Sequence, residues 1–193
     1  MIDPHDGKSI GIRPPRTRAD IILITHDHYD HNASRVVKGE HAEVKAAEGE
    51  LDIRGMTINA FKTYHDEVQG HKRGENSIYC FEMDGIRFCH LGDLGHTLED
   101  DLISEMGNID ILFIPIGGVT TINAEQAKGI IARIAPRIVV PMHYRISGLG
   151  LVLDNLENFL KDIPEDLIYR VGNEIDFIHD DMVEDMEYWV FSM

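Results

Sequence analysis

Apolar and polar positions along the chain alternate between a strand-like and a helix-like period. The largely apolar run from Ala19 to Ile24 predicts a strand buried on both faces. Shorter β-type segments fall near 43–46, 51–53 and 56–63. Residues 77–83 and 86–90 flank Asp84-Gly85, a strong signal for a two-residue hairpin turn. A second buried strand is predicted from Ile109 to Pro115, and a third, opened by Pro136, from Ile138 to Met142. Between them, Asn123-Ala-Glu-Gln126 resembles a capping box, and Ala124, Ala127, Ile130, Ile131 and Ile134 form one apolar helical face. Asp154 to Lys161 reads as a helix, and short strands are expected near 175–178 and 187–191. The pattern is mixed α/β, and no shift in composition divides residues 1–193, so one domain is expected.

The hairpin permits a register prediction. With Asp84-Gly85 as the turn, Met83 faces Ile86, Glu82 faces Arg87, Phe81 faces Phe88 and Cys80 faces Cys89. Apolar pairs then share one face and the opposite-charge pair lies on the other. The two cysteines lie directly across from each other, where a disulfide is conceivable and two reduced thiols are the expectation.

Composition narrows the function classes. Of 193 residues, 43% are hydrophobic and 27% charged, which is globular rather than disordered. No apolar run is long enough to span a membrane and no signal-peptide pattern opens the chain, so a cytoplasmic protein without a membrane partner is expected. The 34 acidic residues against 18 basic give a net charge of −16, which disfavours a nucleic-acid surface other than a local basic groove.

The eleven histidines change the picture. Thr25-His26-Asp27-His28-Tyr29-Asp30-His31 packs three imidazoles and two carboxylates directly behind a buried strand. Packing does not favour such a cluster at a strand end, which calls for a cation or solvent. Imidazole nitrogen with carboxylate oxygen suits zinc, and iron or manganese where oxygen contributes more. His26 and His28, two apart, can project the same way from extended chain, while Asp30 and His31 follow a turn and can address a second cation. His65, Asp93 and His143 each lie just past the end of a predicted strand, where α/β sites gather.

With those residues in view, the sequence resembles the metallo-β-lactamase-fold hydrolases. His26, His28, Asp30 and His31 match the H-x-H-x-D-H signature, and a His, a Gly-Asp and a further His follow in order. Ile114-Pro115-Ile116-Gly117-Gly118 and Pro141-Met142-His143-Tyr144 look like the branch that includes ascorbate-phosphate lactonases. The resemblance covers residues 1 to about 145 and implies an αββα sandwich. It also implies two divalent cations, zinc first, with manganese or iron as alternatives. His26, His28 and His65 would hold one, Asp30, His31 and His143 the second, and Asp93 would bridge them. The zinc β-lactamases of the best-known class carry Cys at the bridging position, so Asp93 points to the phosphodiesterases, lactonases and thioester hydrolases of the fold. Met1-Ile2-Asp3-Pro4 looks like the family's first motif, with Asp3 supporting the metal loop. Family members usually have two or more strands ahead of it, so the first sheet is expected to lack them, and the edge so left could promote a homo-oligomer.

The resemblance implies hydrolysis of a small-molecule ester, lactone or phosphodiester by hydroxide activated between two cations, with Asp30 both ligand and proton acceptor. A nuclease of the same fold and a non-catalytic metal-binding protein are the alternatives. Asp27 and Asp3 are candidates for orienting the ligands. His96 could touch substrate or be an ordinary loop residue. His71, Lys72 and Arg73 could bind an anionic group, and Tyr144 and Arg145 could reach the pocket. His5, His41 and His179 read as surface residues.

Overall fold

The computed structural model of the chain describes residues 1–192. Among the described residues, ten strands form two sheets, accompanied by three short α-helices. The small sheet pairs β1 (Ile21–Ile24) with β2 (Ala42–Lys45) in parallel. The large sheet has eight strands in the order β3-β4-β5-β6-β7-β8-β10-β9. Its first half is an antiparallel meander of β3 (Gly49–Ile53), β4 (Met56–Tyr64), β5 (Glu75–Met83) and β6 (Ile86–His90). Its second half is parallel: β7 (Ile111–Pro115), β8 (Ile138–Met142), β10 (Glu187–Phe191) and β9 (Ile168–Val171).

Local chemistry explains these elements. Asp84 and Gly85 both have positive φ, 54° and 77°, as a type I′ turn requires, and the β5–β6 register is the predicted one. Cys80 and Cys89 are paired neighbours and buried free thiols. Helix α2 (Ala124–Ile134) carries the predicted capping box between Asn123 and Gln126. It buries Ala127, Ile130 and Ile131 in the main core with Phe159 of α3 (Leu156–Leu160). The α1 helix (Asp100–Met106) was not expected; at seven residues it shows barely two turns of periodicity.

One strand expectation is corrected. Residues 175–178 form no strand, because both edges of β10 are occupied by β8 and by β9, which the sequence reading missed. Phe177 instead packs edge-on against Trp189, ring centroids 5.1 Å apart, and covers the inner face of the large sheet.

The layers run from helices through the large sheet to the small one. The outermost α layer is reduced to a 3-10 turn at Ser34–Val36, where Val36 and Val37 cover Ile22 and Ile24 of the four-residue β1. Met1–Asp3 extends the small sheet by one bridge, between Ile2 and Leu23. Two tyrosine hydrogen bonds tie the sheets together. The Tyr79 hydroxyl donates to the Ile24 carbonyl at 2.9 Å and accepts from the Ala47 amide at 3.3 Å. Because β4, β6 and β8 run in the same direction, their C-terminal ends lie along one edge of the large sheet.

Tyr79→Phe keeps the ring and removes both bonds, leaving the Ala47 amide without its partner. It is expected to lower stability by about 1–2 kcal/mol in denaturant unfolding. An unchanged midpoint would show that the hydroxyl does not couple the two sheets.

Candidate metal centre

Four chain segments bring the site together at that common edge. His26, His28, Asp30 and His31 follow β1; His65 follows β4, Asp93 follows β6 and His143 follows β8. All seven residues expected from the sequence converge. Asp93, 3% exposed, is the hub. Its Oδ2 lies 3.2 Å from Nε2 of both His65 and His143, 3.5 Å from Nε2 of His31 and 3.8 Å from Nε2 of His26. Two clusters flank it, His26 with His28 and His65, and Asp30 with His31 and His143; in each, one ligand atom per residue lies within 4.8 Å of the others. A third group, Asp3, His26 and His31, meets the same criterion.

The support beneath these residues is mostly hydrogen bonding. Asp3 accepts from the Thr25 amide and hydroxyl, both at 2.7 Å. With its proton so committed, Thr25 Oγ1 is left to accept from His26 Nδ1 at 2.9 Å, so His26 Nε2 carries the lone pair toward the site. Asp3 also lies 3.3 Å from His31 Nδ1. Asn76, fully buried on β5, was missed by the sequence reading. Its Oδ1 accepts from the Asp93 amide at 2.9 Å, and its Nδ2 donates to Thr63 Oγ1 and the Leu91 carbonyl at 2.8 and 2.9 Å. Gly92, at φ 57°, is needed there because a Cβ would collide with Asn76 Oδ1 and the Thr25 side chain. Asp3 and His143 are themselves held at φ 46° and 52°, left-handed backbone that non-glycine residues seldom adopt.

Electrostatics follow from this packing. Burial opposes the charge on Asp93, but His143, His31, His65 and His26 outweigh it and hold the carboxyl well below the usual range. Burial pushes His26 down to about 3, so its ring is neutral and free to act as a ligand. His31 goes the other way. Burial opposes its charge, yet Asp93, Asp3 and Asp30 raise it to about 10. Buried ring nitrogens without a hydrogen-bond partner include His26 Nε2, His65 Nδ1 and His143 Nδ1. Unpartnered imidazole nitrogens beside a buried carboxylate are a donor set that divalent zinc, iron or manganese fits.

The less certain sequence candidates divide. Asp3 lies 3.3 Å from His31 Nδ1, beside a ligand as expected. Asp27 does not orient a ligand; it is exposed, accepts from Asn32 at 2.6 Å and pairs with Lys45 at 2.5 Å. His96 is spent on structure, with Nδ1 bonded to the Thr97 carbonyl at 2.7 Å and Nε2 accepting from the Tyr64 amide at 3.2 Å. His71, Lys72 and Arg73 are exposed, in a loop organised by Asp66. That carboxylate accepts from the amides of Val68, Gly70, Lys72 and Arg73 at 2.7–2.9 Å; against the opposing effect of burial, these bonds lower it to about 2. His5 is not a plain surface residue. It lines the pocket beside Asp30 and His31, with Nδ1 buried and unpartnered.

Asn76→Ala removes the anchor of the Asp93 amide and is expected to weaken binding of zinc by 10–100-fold, measured by competition with a chromophoric chelator. Retention of wild-type affinity would remove Asn76 from the support of the site. The metal-free protein should also show a pH signature. With His31 at about 10 when folded and near 6.5 when unfolded, its charge stabilises fully below about pH 6.5, and that contribution is lost as pH rises toward 10. Thermal unfolding after chelation should therefore fall across that window, and His31→Gln should flatten the fall.

Comparison with known proteins agrees with this geometry. The family described as Beta-lactamase superfamily domain matches residues 1–143. A UPF0173 metal-dependent hydrolase of Pyrococcus abyssi is 31% identical over 204 aligned positions, covering 91% of each chain. Another, from Thermoplasma acidophilum, is 29% identical and covers 77% of each. A Thermotoga maritima structure described as a candidate Zn-dependent hydrolase of the metallo-beta-lactamase superfamily superposes with a TM-score of 0.80 at 32% identity, covering 98% of this chain and 87% of that one. The chain thus belongs to the metallo-beta-lactamase superfamily, within its UPF0173 metal-dependent hydrolase family.

Proposed function

We propose that the protein is a metal-dependent hydrolase that uses two divalent cations, zinc first among them, to cleave a small ester, lactone or phosphodiester. The observation that carries this reading is the convergence of four imidazole nitrogens, 3.2–3.8 Å away, on one buried oxygen of Asp93, with a three-residue cluster on either side. His26, His28 and His65 would hold one cation, and Asp30, His31 and His143 the other, with Asp93 between them. Bound there, the cations would supply Lewis acidity and bring the ionisation of water into the neutral range.

The chain's own residues would do the rest. Asp30, whose side chain is 13% exposed, stands at the pocket side of the cluster, 3.6 Å from His31 Nε2. From there its carboxylate can take the proton of an attacking water. Asp3 pairs with His31 at 3.3 Å, and Thr25 would fix the ring of His26. The relatives' description as metal-dependent hydrolases supports the reaction class.

Metal analysis of protein purified without added metal should find roughly two equivalents of divalent metal, and His28→Ala should lose about one. On the same sample, a panel of esters, lactones and phosphodiesters should show turnover that chelation abolishes. Asp30→Asn is expected to lower kcat by 10²–10⁴-fold. Less than one equivalent, unchanged by His28→Ala, would sink the two-cation proposal. Full loading with no turnover across the panel would favour a metal-binding protein without this chemistry.

A further inference from the structure

One cavity opens directly from the candidate metal centre. It has a volume of 390 Å³, and Asp30, His31, Asp93 and His143 form part of its wall. The remainder is dominated by aliphatic and aromatic side chains. Phe113, Val140 and Phe191 come from the sheet, Ile2 and Ile10 from the N-terminal segment, and Leu151 from the loop after β8. Among the described residues that line it there is no Lys or Arg.

Those two features point in the same direction. A phosphoryl substrate brings excess negative charge, and a pocket built for one normally answers with Lys or Arg beyond the cations at the reacting centre. Here arginines line two adjoining cavities: Arg145 a 420 Å³ one that shares Ile146 and Leu149 with the pocket, and two more a 680 Å³ one that shares Ile12, Tyr144, Ile146 and Phe191 with it. Arg13 and Arg170 line that second cavity and not the one containing the Asp93 cluster. An apolar wall next to a hydrolytic centre instead gains by burying hydrocarbon, at roughly 0.8 kcal/mol per methylene.

We infer that this cavity is the subsite for an uncharged apolar arm of the substrate, which selects hydrophobic acyl esters or lactones over phosphodiesters. The inference rests on the hydrolase reading and narrows it. A space of 390 Å³ holds on the order of a dozen water-sized groups, so a medium-length acyl chain or an aromatic acyl group fills it. The scissile carbonyl would then lie beside Asp30 and His143, with the arm extending past Val140 toward Phe191.

The test uses 4-nitrophenyl esters of straight-chain acids from acetate to decanoate, with bis(4-nitrophenyl) phosphate as the competing class, on the metal-loaded full chain. The specificity constant kcat/KM should rise roughly fourfold per methylene and then fall once the cavity is full. Leu151→Trp, in a loop at the wall, should move the optimum to shorter chains. In parallel, n-octanamide is titrated into the chelated wild-type protein, and NMR follows the methyl group of Met142, which also lines the cavity. A saturable shift supports the subsite without requiring turnover or a variant. Binding of octanamide with no hydrolysis of any ester, lactone or phosphodiester would keep the apolar subsite and overturn the hydrolase reading. Hydrolysis indifferent to chain length, preference for the phosphodiester, or no shift at Met142 would overturn the subsite and leave the hydrolase reading intact.

Discussion

The buried carboxylate of Asp93 is the constraint around which the rest of the site is arranged. A carboxylate taken out of water must be compensated, and here compensation comes from four imidazoles rather than from Lys or Arg. At 3.5 Å, the charged ring of His31 would contribute a few kcal/mol at the dielectric of a partly wet site. His31, raised to about 10, is held strongly in the charged form. Asp3, Asp30 and Asp93 surround that imidazolium, so three carboxylates face one charged ring. Neutral His26 cannot close the deficit, but a divalent ion coordinated by it could. Charge neutrality and ligand geometry therefore favour the same occupant.

Holding that arrangement is expensive in backbone freedom. Asp3 and His143 adopt left-handed φ values, each costing roughly 1–3 kcal/mol where the residue is not glycine. Both are locked from behind. Asp3 is fixed by two hydrogen bonds from Thr25, and the His143 carbonyl lies so close to Gly117 that a Cβ there would collide with it. Asn76 does the same for the Gly92-Asp93 turn from the floor of the sheet. Such polar networks in a dry interior stabilise only when every member is satisfied, which leaves little room for substitution around the ligands.

What could be read from the sequence was what depends on local period and density. The Asp84-Gly85 turn set the β5–β6 register, and the packing of His and Asp behind Ile24 marked the metal loop. His65, Asp93 and His143 were legible as residues at strand ends, since parallel strands put their C-termini on one edge. Their supports were not. By sequence Asn76 lies just before a strand and Thr25 just past one, and only the tertiary fold places them against Asp93 and His26. Asp66 was not singled out by sequence, although it accepts the four hydrogen bonds that shape its loop. Asp27 was misplaced because spacing alone cannot say which way a loop carboxylate turns. His5 was misplaced because a polar stretch hides the apolar walls that the loop after β8 brings to it.

The acidic surface can also be reconsidered against the cavity. A net charge of −16 raises the local concentration of cations and lowers that of anions, an effect strongest at low ionic strength. Such a field assists metal capture and works against polyanionic ligands before any contact forms. The cavity beside Asp93 has the matching character, with hydrocarbon over most of its wall and no Lys or Arg among its described lining residues. Long-range field and short-range wall thus reject the same class of substrate by different physics. Salt separates the two effects: screening weakens the field, whereas the burial of an apolar arm is largely insensitive to ionic strength.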